Sequence, residues 1–195
     1  MARLLTPRLL RRMALLTALC ACLPLGHAGY LHAKAGLAQV LLQHAWQQQL
    51  ASGAVVKPWP WADTTPVARL QVDRLGVDEI ILSGDSGRTL AFGPGWAEST
   101  ALPGTSGLSV VSAHRDTHFS FLRDIRIGDS VHLQNAFGAR ELRVSSMRIV
   151  DSRHQRIGLA ADSDELLLVT CYPFDALNAG GPLRFVVTAV PEGTF

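Results

Sequence analysis

The stretch Leu166-Leu167-Leu168-Val169-Thr170-Cys171-Tyr172-Pro173 decides the fold class. Its unbroken apolar run has the length of a strand rather than of a helix. Proline cannot donate to a sheet ladder, so the strand reads as ending at Cys171, just before Tyr172-Pro173. Outward from this stretch the chain repeats the pattern. Val67 to Val72 alternates, Ile80 to Leu82 is a short apolar run, and Leu108 to Ala113 is apolar and stops at His114. Val131 to Leu133 alternates, and Phe185 to Val190 is the last run. Leu142 and Val144 share one parity while Met147 and Ile149 share the other, which predicts a bulge at Ser145-Ser146 within one long strand. Seven or eight short strands with turn residues between them suit a mainly β fold, either a sandwich or a closed barrel. One short helix is expected over Phe119 to Ile125, and no internal repeat or low-complexity tract interrupts the pattern.

The chain begins differently. Arg3, Arg8, Arg11 and Arg12 precede an apolar run from Met13 to Leu25, with no acid among them. Positive charge ahead of such a run keeps the N-terminus in the cytoplasm. The run fits a cleaved signal peptide, with Gly26 and Ala28 as small residues near a cut. It fits a retained anchor if the helix continues to Ala33, about 20 residues in all. A lipoprotein site at Cys22 is the third reading, and Leu19-Cys20-Ala21 matches it poorly. The anchor is the favoured one, and all three export the C-terminal domain. The expected organisation is a basic cytoplasmic segment over 1–12, a transmembrane anchor over 13–33, a helical stalk with a Pro/Trp linker over 34–66, and a catalytic domain over 67–195. In the stalk, Leu37, Val40, Leu41, Ala45 and Trp46 recur at helical spacing, either extending the membrane helix or packing on the domain. Pro58, Pro60 and Pro66 forbid regular structure in the linker, where Trp59 and Trp61 are candidates for a surface.

Composition sets further bounds. Hydrophobic residues make up 48% and charged residues 17% of the 195, enough apolar material for a core. The net charge is +2 and no basic stripe is present, so nucleic acid is not an expected partner. Of three cysteines, Cys20 and Cys22 lie two apart in the apolar run, too close in the chain for a disulfide. Cys171 is therefore unpaired in the exported domain. Its bland reading is a small buried hydrophobe.

Its neighbours favour chemistry. A strand end is a rigid mount from which a thiol can face a cleft. His114 also ends an apolar strand, before the polar turn Arg115-Asp116-Thr117, and histidine is the usual partner of a cysteine nucleophile. Arg184 lies on an otherwise apolar strand after the Gly180-Gly181 loop, where a hairpin would set it beside Cys171. A cationic donor there suits a developing oxyanion.

SAHRDTHF (112–119), LLLVTCYPF (166–174) and GGPLRFVV (180–187) resemble the three signature segments of sortases: a histidine segment, a TLxTC segment and an arginine strand, in that order. Leu168 matches the motif leucine and Thr170 precedes Cys171, while Leu167 stands where threonine is expected. The resemblance runs from about Val67 to Val190, and the arginine-rich start, KPWPWAD, HRDTHF and CYPFDA look most like the Gram-negative group, class GN. It implies a closed eight-stranded β-barrel with short helices after an N-terminal membrane helix. It implies that Cys171 attacks the Thr-Gly bond of an LPxTG-like signal at the C-terminal end of a secreted target protein, forming a thioacyl-enzyme that an amine acceptor resolves. His114 would be general acid and then base, without a tight ion pair to Cys171, and Arg184 would steady the oxyanion. Thr170 and Tyr172 would bind substrate, and the backbone N–H after Cys171 would add a second oxyanion donor. The expected location is the inner membrane, crossed once, with the catalytic domain on the periplasmic side. No cofactor or metal is expected.

Other residues have two uses. Asp116 either orients His114 or caps its turn, and the turn is favoured. His118 reads as a surface residue or a support for the site. Asp162, Asp164 and Glu165 suit a solvated turn better than a calcium site. The loop from Val150 to Asp164, with Arg153, His154 and Arg156, is expected over the substrate groove. The competing functions are an exported cysteine peptidase, a peptidoglycan transpeptidase, or a barrel that only binds.

Overall fold

The computed structural model describes residues 7–154, 163–176, 178 and 180–192. The chain divides into two compact units, Met1–Val40 and Leu41–Phe195. Helix α1 spans Pro7–Ser52 with Pro24 inside it, and its apolar stretch is long enough to cross a membrane by length and composition.

The second unit is a closed barrel. Its strands are β1 (Pro66–Val72), β2 (Val77–Ser83), β3 (Gly95–Trp96), β4 (Ser109–Ser112), β5 (Ser130–Asn135), β6 (Gly138–Asp151), β7 (Leu166–Cys171) and β8 (Leu183–Pro191). Around the barrel they follow the order β1-β2-β3-β4-β7-β8-β6-β5. Closure removes the exposed edges that a small sheet would otherwise present. The pairs β2–β3 and β4–β7 are parallel, and the other neighbours are antiparallel. A four-residue helix α2 (Gly87–Leu90) lies between β2 and β3, capped by the Ser86 side chain. The helix expected over Phe119 to Ile125 is a 3₁₀ turn at Ser120–Arg123.

Side-chain alternation explains the apolar runs. Leu70, Val111, Leu168, Val187 and their neighbours from every long strand fill the barrel interior, with Phe119, Leu122 and Ile125 packed on them. The other face of β7 is covered as well. Leu167 and Val169 join Leu108, Val110, Val150 and Val186 in a cluster on the outer face. A strand buried on both faces loses alternation and reads as continuous apolar sequence. The same holds for Ile80 to Leu82: Ile81 points inward, while Ile80 and Leu82 meet Leu42 and Trp46 of α1, with Trp59 and Phe92 alongside.

The helix face that packs here is Leu42, Ala45, Trp46 and Gln49. Of the expected stripe, Ala45 and Trp46 are buried here, while Leu37 and Val40 are exposed. Gln49 is buried, donates to the Pro66 carbonyl at 3.2 Å and accepts from Val56 N–H at 3.4 Å. These bonds tie the end of α1 to the start of β1. In the linker Trp59 stacks edge-on against Phe92 at 5.1 Å, whereas Trp61 is 83% exposed.

The bulge falls where the parity change predicts it. The β6–β8 register slips between Val144 and Ser146, so Ser145 is the extra residue, and its hydroxyl donates to the Thr188 carbonyl at 3.2 Å. The extra residue exchanges the two faces of β6. Leu142 and Val144 face the interior, while Val150 emerges in the outer cluster beside β8.

Candidate active site

Cys171 is the last residue of β7, and its antiparallel partner across β8 is Arg184. Directly opposed residues hold their Cβ atoms about 5 Å apart. On the other flank β4 runs parallel to β7, pairing Ser109 with Leu166 and ending at Ser112 with Val169. That ladder stops short of His114, its last backbone bond running from Ala113 N–H to the Val169 carbonyl at 3.2 Å. The segment that carries His114 and the strand that carries Arg184 thus flank β7 on opposite sides. By alternation, Cys171 shares its face with Leu167 and Val169 of the outer cluster.

The local bonds explain how each is held. The carbonyl of His114 accepts the N–H groups of Thr117 (3.4 Å) and Phe119 (3.0 Å), curling the chain into a turn directly after the histidine. The ring is exposed. Arg184 uses Nη1 to reach the carbonyls of Gly181 at 2.6 Å and Leu183 at 2.9 Å, which fixes the guanidinium on its own hairpin. Its Nε and Nη2 bond to no described residue, leaving donors for a ligand.

Thr170 has a different use from the substrate contact implied by the resemblance. It precedes Cys171, so it faces the barrel interior, where it is buried to 2% exposure. Its hydroxyl donates to the Ala113 carbonyl at 2.7 Å. The side chain ties the end of β4 to the end of β7 and is turned from the face that carries the thiol. Tyr172 sits with its ring against Phe185 (6.3 Å, nearly parallel) and Phe174 (6.1 Å, edge-on), an aromatic group packed on the interior cluster. The peptide bond between Tyr172 and Pro173 is cis.

One expectation is corrected. The N–H of Tyr172, expected as an oxyanion donor, is bonded to the Leu183 carbonyl at 3.0 Å. The β7–β8 ladder extends one residue past the cysteine and consumes it. Asp116, for which a turn position is the favoured reading, has a side chain 70% exposed that accepts from Arg115 Nε at 3.4 Å.

His118 is half-buried, and Glu79 of β2 holds its Nδ1 at 2.9 Å. Asp164 pairs with Arg140 at 2.8 Å and accepts Gly107 N–H at 3.1 Å, an arrangement that holds its carboxyl below the usual range, with the Arg140 hydrogen bond the largest cause. Asp162 and Arg156 lie outside the described residues, as does most of the Val150–Asp164 loop. Among the described residues no group of three or more histidines, cysteines or acids could hold a metal.

Sequence alone does not single out Arg115. It is buried, and it donates to the carbonyls of Pro173, Ala176 and Asn178 in the loop after the cysteine. Arg123 reaches the same loop at the Phe174 carbonyl (3.1 Å), with its guanidinium 5.6 Å from the Phe174 ring.

Comparison with known proteins gives a consistent result. Residues 70–192 match the sortase domain. Sortase D of Bacillus subtilis (strain 168) is 29% identical over 119 residues, which make up 60% of this chain and 60% of that protein. The match therefore spans about three fifths of the curated relative. Among solved structures, the Clostridium perfringens Sortase D5 transpeptidase superposes with a TM-score of 0.64 at 17% identity, over 81% of this chain and 99% of that one. Sortase C2 of Pilus Island 1 from Group B Streptococcus gives 0.55 at 26% identity, over 64% and 72%.

Proposed function

The chain belongs to the sortase family, and on that premise we propose that it is a membrane-tethered cysteine transpeptidase acting on an LPxTG-like sorting signal. The observation that supports this reading is the pairing of Cys171 with Arg184 across β7 and β8, with the segment that follows β4 and carries His114 on the other flank of β7.

In the proposed reaction the Cys171 thiolate attacks the carbonyl carbon of the Thr-Gly peptide bond. The electron pair moves onto the carbonyl oxygen, and the unengaged donors of Arg184 face the resulting oxyanion. As the C–N bond breaks, His114 protonates the leaving amine, and a thioester remains on Cys171. An incoming amine then attacks the thioester and gives its proton to His114. A new amide forms and the thiolate leaves. Thr170 acts by fixing the strand ends together.

The tether is α1, crossing the inner membrane once with the arginine-rich end in the cytoplasm and the barrel outside. The corresponding division is 1–12, 13–33, 34–66 and 67–195. Membership of the Gram-negative class GN group rests on the HRDTHF and CYPFDA strings. The partners of this reaction are a secreted protein ending in the signal and an amine donor.

The test uses a peptide with a Leu-Pro-X-Thr-Gly core and triglycine. The expected result is a peptide–triglycine adduct and a mass-shifted enzyme carrying the acyl group on Cys171. Release of free acid alone, with triglycine never incorporated, overturns the transpeptidase reading in favour of a cysteine peptidase.

A further inference from the structure

We propose that Arg115 is a positioning residue that holds His114 in register with Cys171, a role that rests on the proposed pairing of those two residues. Arg115 lies in a turn whose neighbours His114 and Asp116 are exposed, yet its own side chain is only 5% exposed. A buried guanidinium is stable only where its donors are satisfied. Here Nη1 donates to the Pro173 carbonyl at 2.8 Å, and Nη2 to those of Ala176 at 2.8 Å and Asn178 at 3.1 Å. All three carbonyls belong to the loop that leaves Cys171.

The position of these bonds gives them their function. The backbone ladder between β4 and β7 stops at Ala113 N–H to the Val169 carbonyl, 3.2 Å. His114 lies just past that end. On one side of it Ala113 is tied to Thr170, the residue before the cysteine. On the other side Arg115 is tied to Pro173, two residues after the cysteine. Side-chain bonds thus continue the alignment of the two chains where the ladder has ended. Arg123 also reaches this loop, but from the 3₁₀ turn farther along, without flanking the histidine. Arg184 of β8 lies opposite Cys171, and Asp116 accepts from Arg115 Nε at 3.4 Å.

The test reads the influence of His114 on the thiol and needs no substrate. The full-length protein in detergent is alkylated with iodoacetamide from pH 5 to 10, and the Cys171 peptide is followed by mass spectrometry so that Cys20 and Cys22 do not contribute. A cationic histidine favours the thiolate, so His114→Ala is expected to slow alkylation at neutral pH about tenfold. Arg115→Met slows it at least threefold, and Arg115→Met combined with His114→Ala is no slower than His114→Ala alone. Arg115→Lys keeps the charge but cannot span three carbonyls, so it gives a smaller slowing that also disappears in the His114→Ala background. That variant carries the test if Arg115→Met fails to fold. Arg123→Gln leaves the profile unchanged. The proposal is overturned if both Arg115 variants overlay the wild type, or if their slowing adds in full to that of His114→Ala. A His114→Ala profile identical to the wild type overturns the Cys–His pairing itself, and Arg115's part with it.

Discussion

Thr170 and Cys171 are adjacent in the chain and have opposite surroundings, because a strand turns successive side chains to opposite faces. Thr170→Val removes the hydroxyl and leaves the Ala113 carbonyl without its buried donor. A loss of about 1–2 kcal/mol is expected, read from chemical denaturation, and Thr170→Ser restores most of it. On the outer face, Arg184→Ala is expected to lower kcat/KM for thioester formation on the order of 10²-fold, as for removal of one oxyanion donor. Arg184→Lys recovers little, because a point charge does not reproduce the planar fork. Unchanged kinetics in Arg184→Ala would remove the residue from the reaction. Cys171, His114 and Arg184 stand out in the sequence as candidates because each is a polar residue that ends or interrupts an apolar strand. Thr170 is easily misread because its motif names a residue type without saying which face it occupies. Arg115 is hidden because an arginine between a histidine and an aspartate looks like any solvated turn.

Among the elements, the bulge in β6 is visible as a change of parity, a one-dimensional trace of a three-dimensional slip. Strand β3 leaves no trace, since its two residues are too few to show a period and its membership depends on neighbours at Leu82 and Ser112. The stalk helix is legible as a helix, but its docking face is set by Ile80 and Leu82 on another element. Trp46 anchors that contact at 1% exposure, and its Nε1 has no hydrogen-bond partner among the described residues. Trp46→Ala should therefore destabilise the second unit by about 3–5 kcal/mol through the cavity it leaves. Trp46→Phe should cost much less, because the lost area is offset by removal of an unsatisfied donor. Urea titrations of the two variants make the comparison, and equal losses would argue against an unsatisfied indole.

For the barrel as a whole, ion pairs link distant parts of the chain. Arg74 grips Asp129 through Nε and Nη2, both at 2.6 Å, and the Arg126 N–H adds a third bond at 2.7 Å. The Arg74 bond is the main reason that the Asp129 carboxyl titrates below its usual range, as Arg140 is for Asp164. A carboxyl depressed in the folded state is protonated first in the unfolded chain as the pH falls. The stability it supplies is complete above about pH 5 and declines from near pH 4 downward. Melting temperatures measured from pH 7 to 3 should show this decline. Asp129→Asn should lower stability at neutral pH by about 1–3 kcal/mol and flatten the acid limb. A slope identical to the wild type would show that the pair does not set the acid response.

The parallel seam between β4 and β7 has a consequence for how the candidate site is assembled. The chain lays down β5 and β6 between them, yet both strands belong on the far side of β8 in the barrel. The seam therefore joins segments that the sequence separates by two whole strands, and β8 closes on the other flank of β7 to set Arg184 opposite Cys171. A chain truncated before β8 would carry the thiol without that guanidinium.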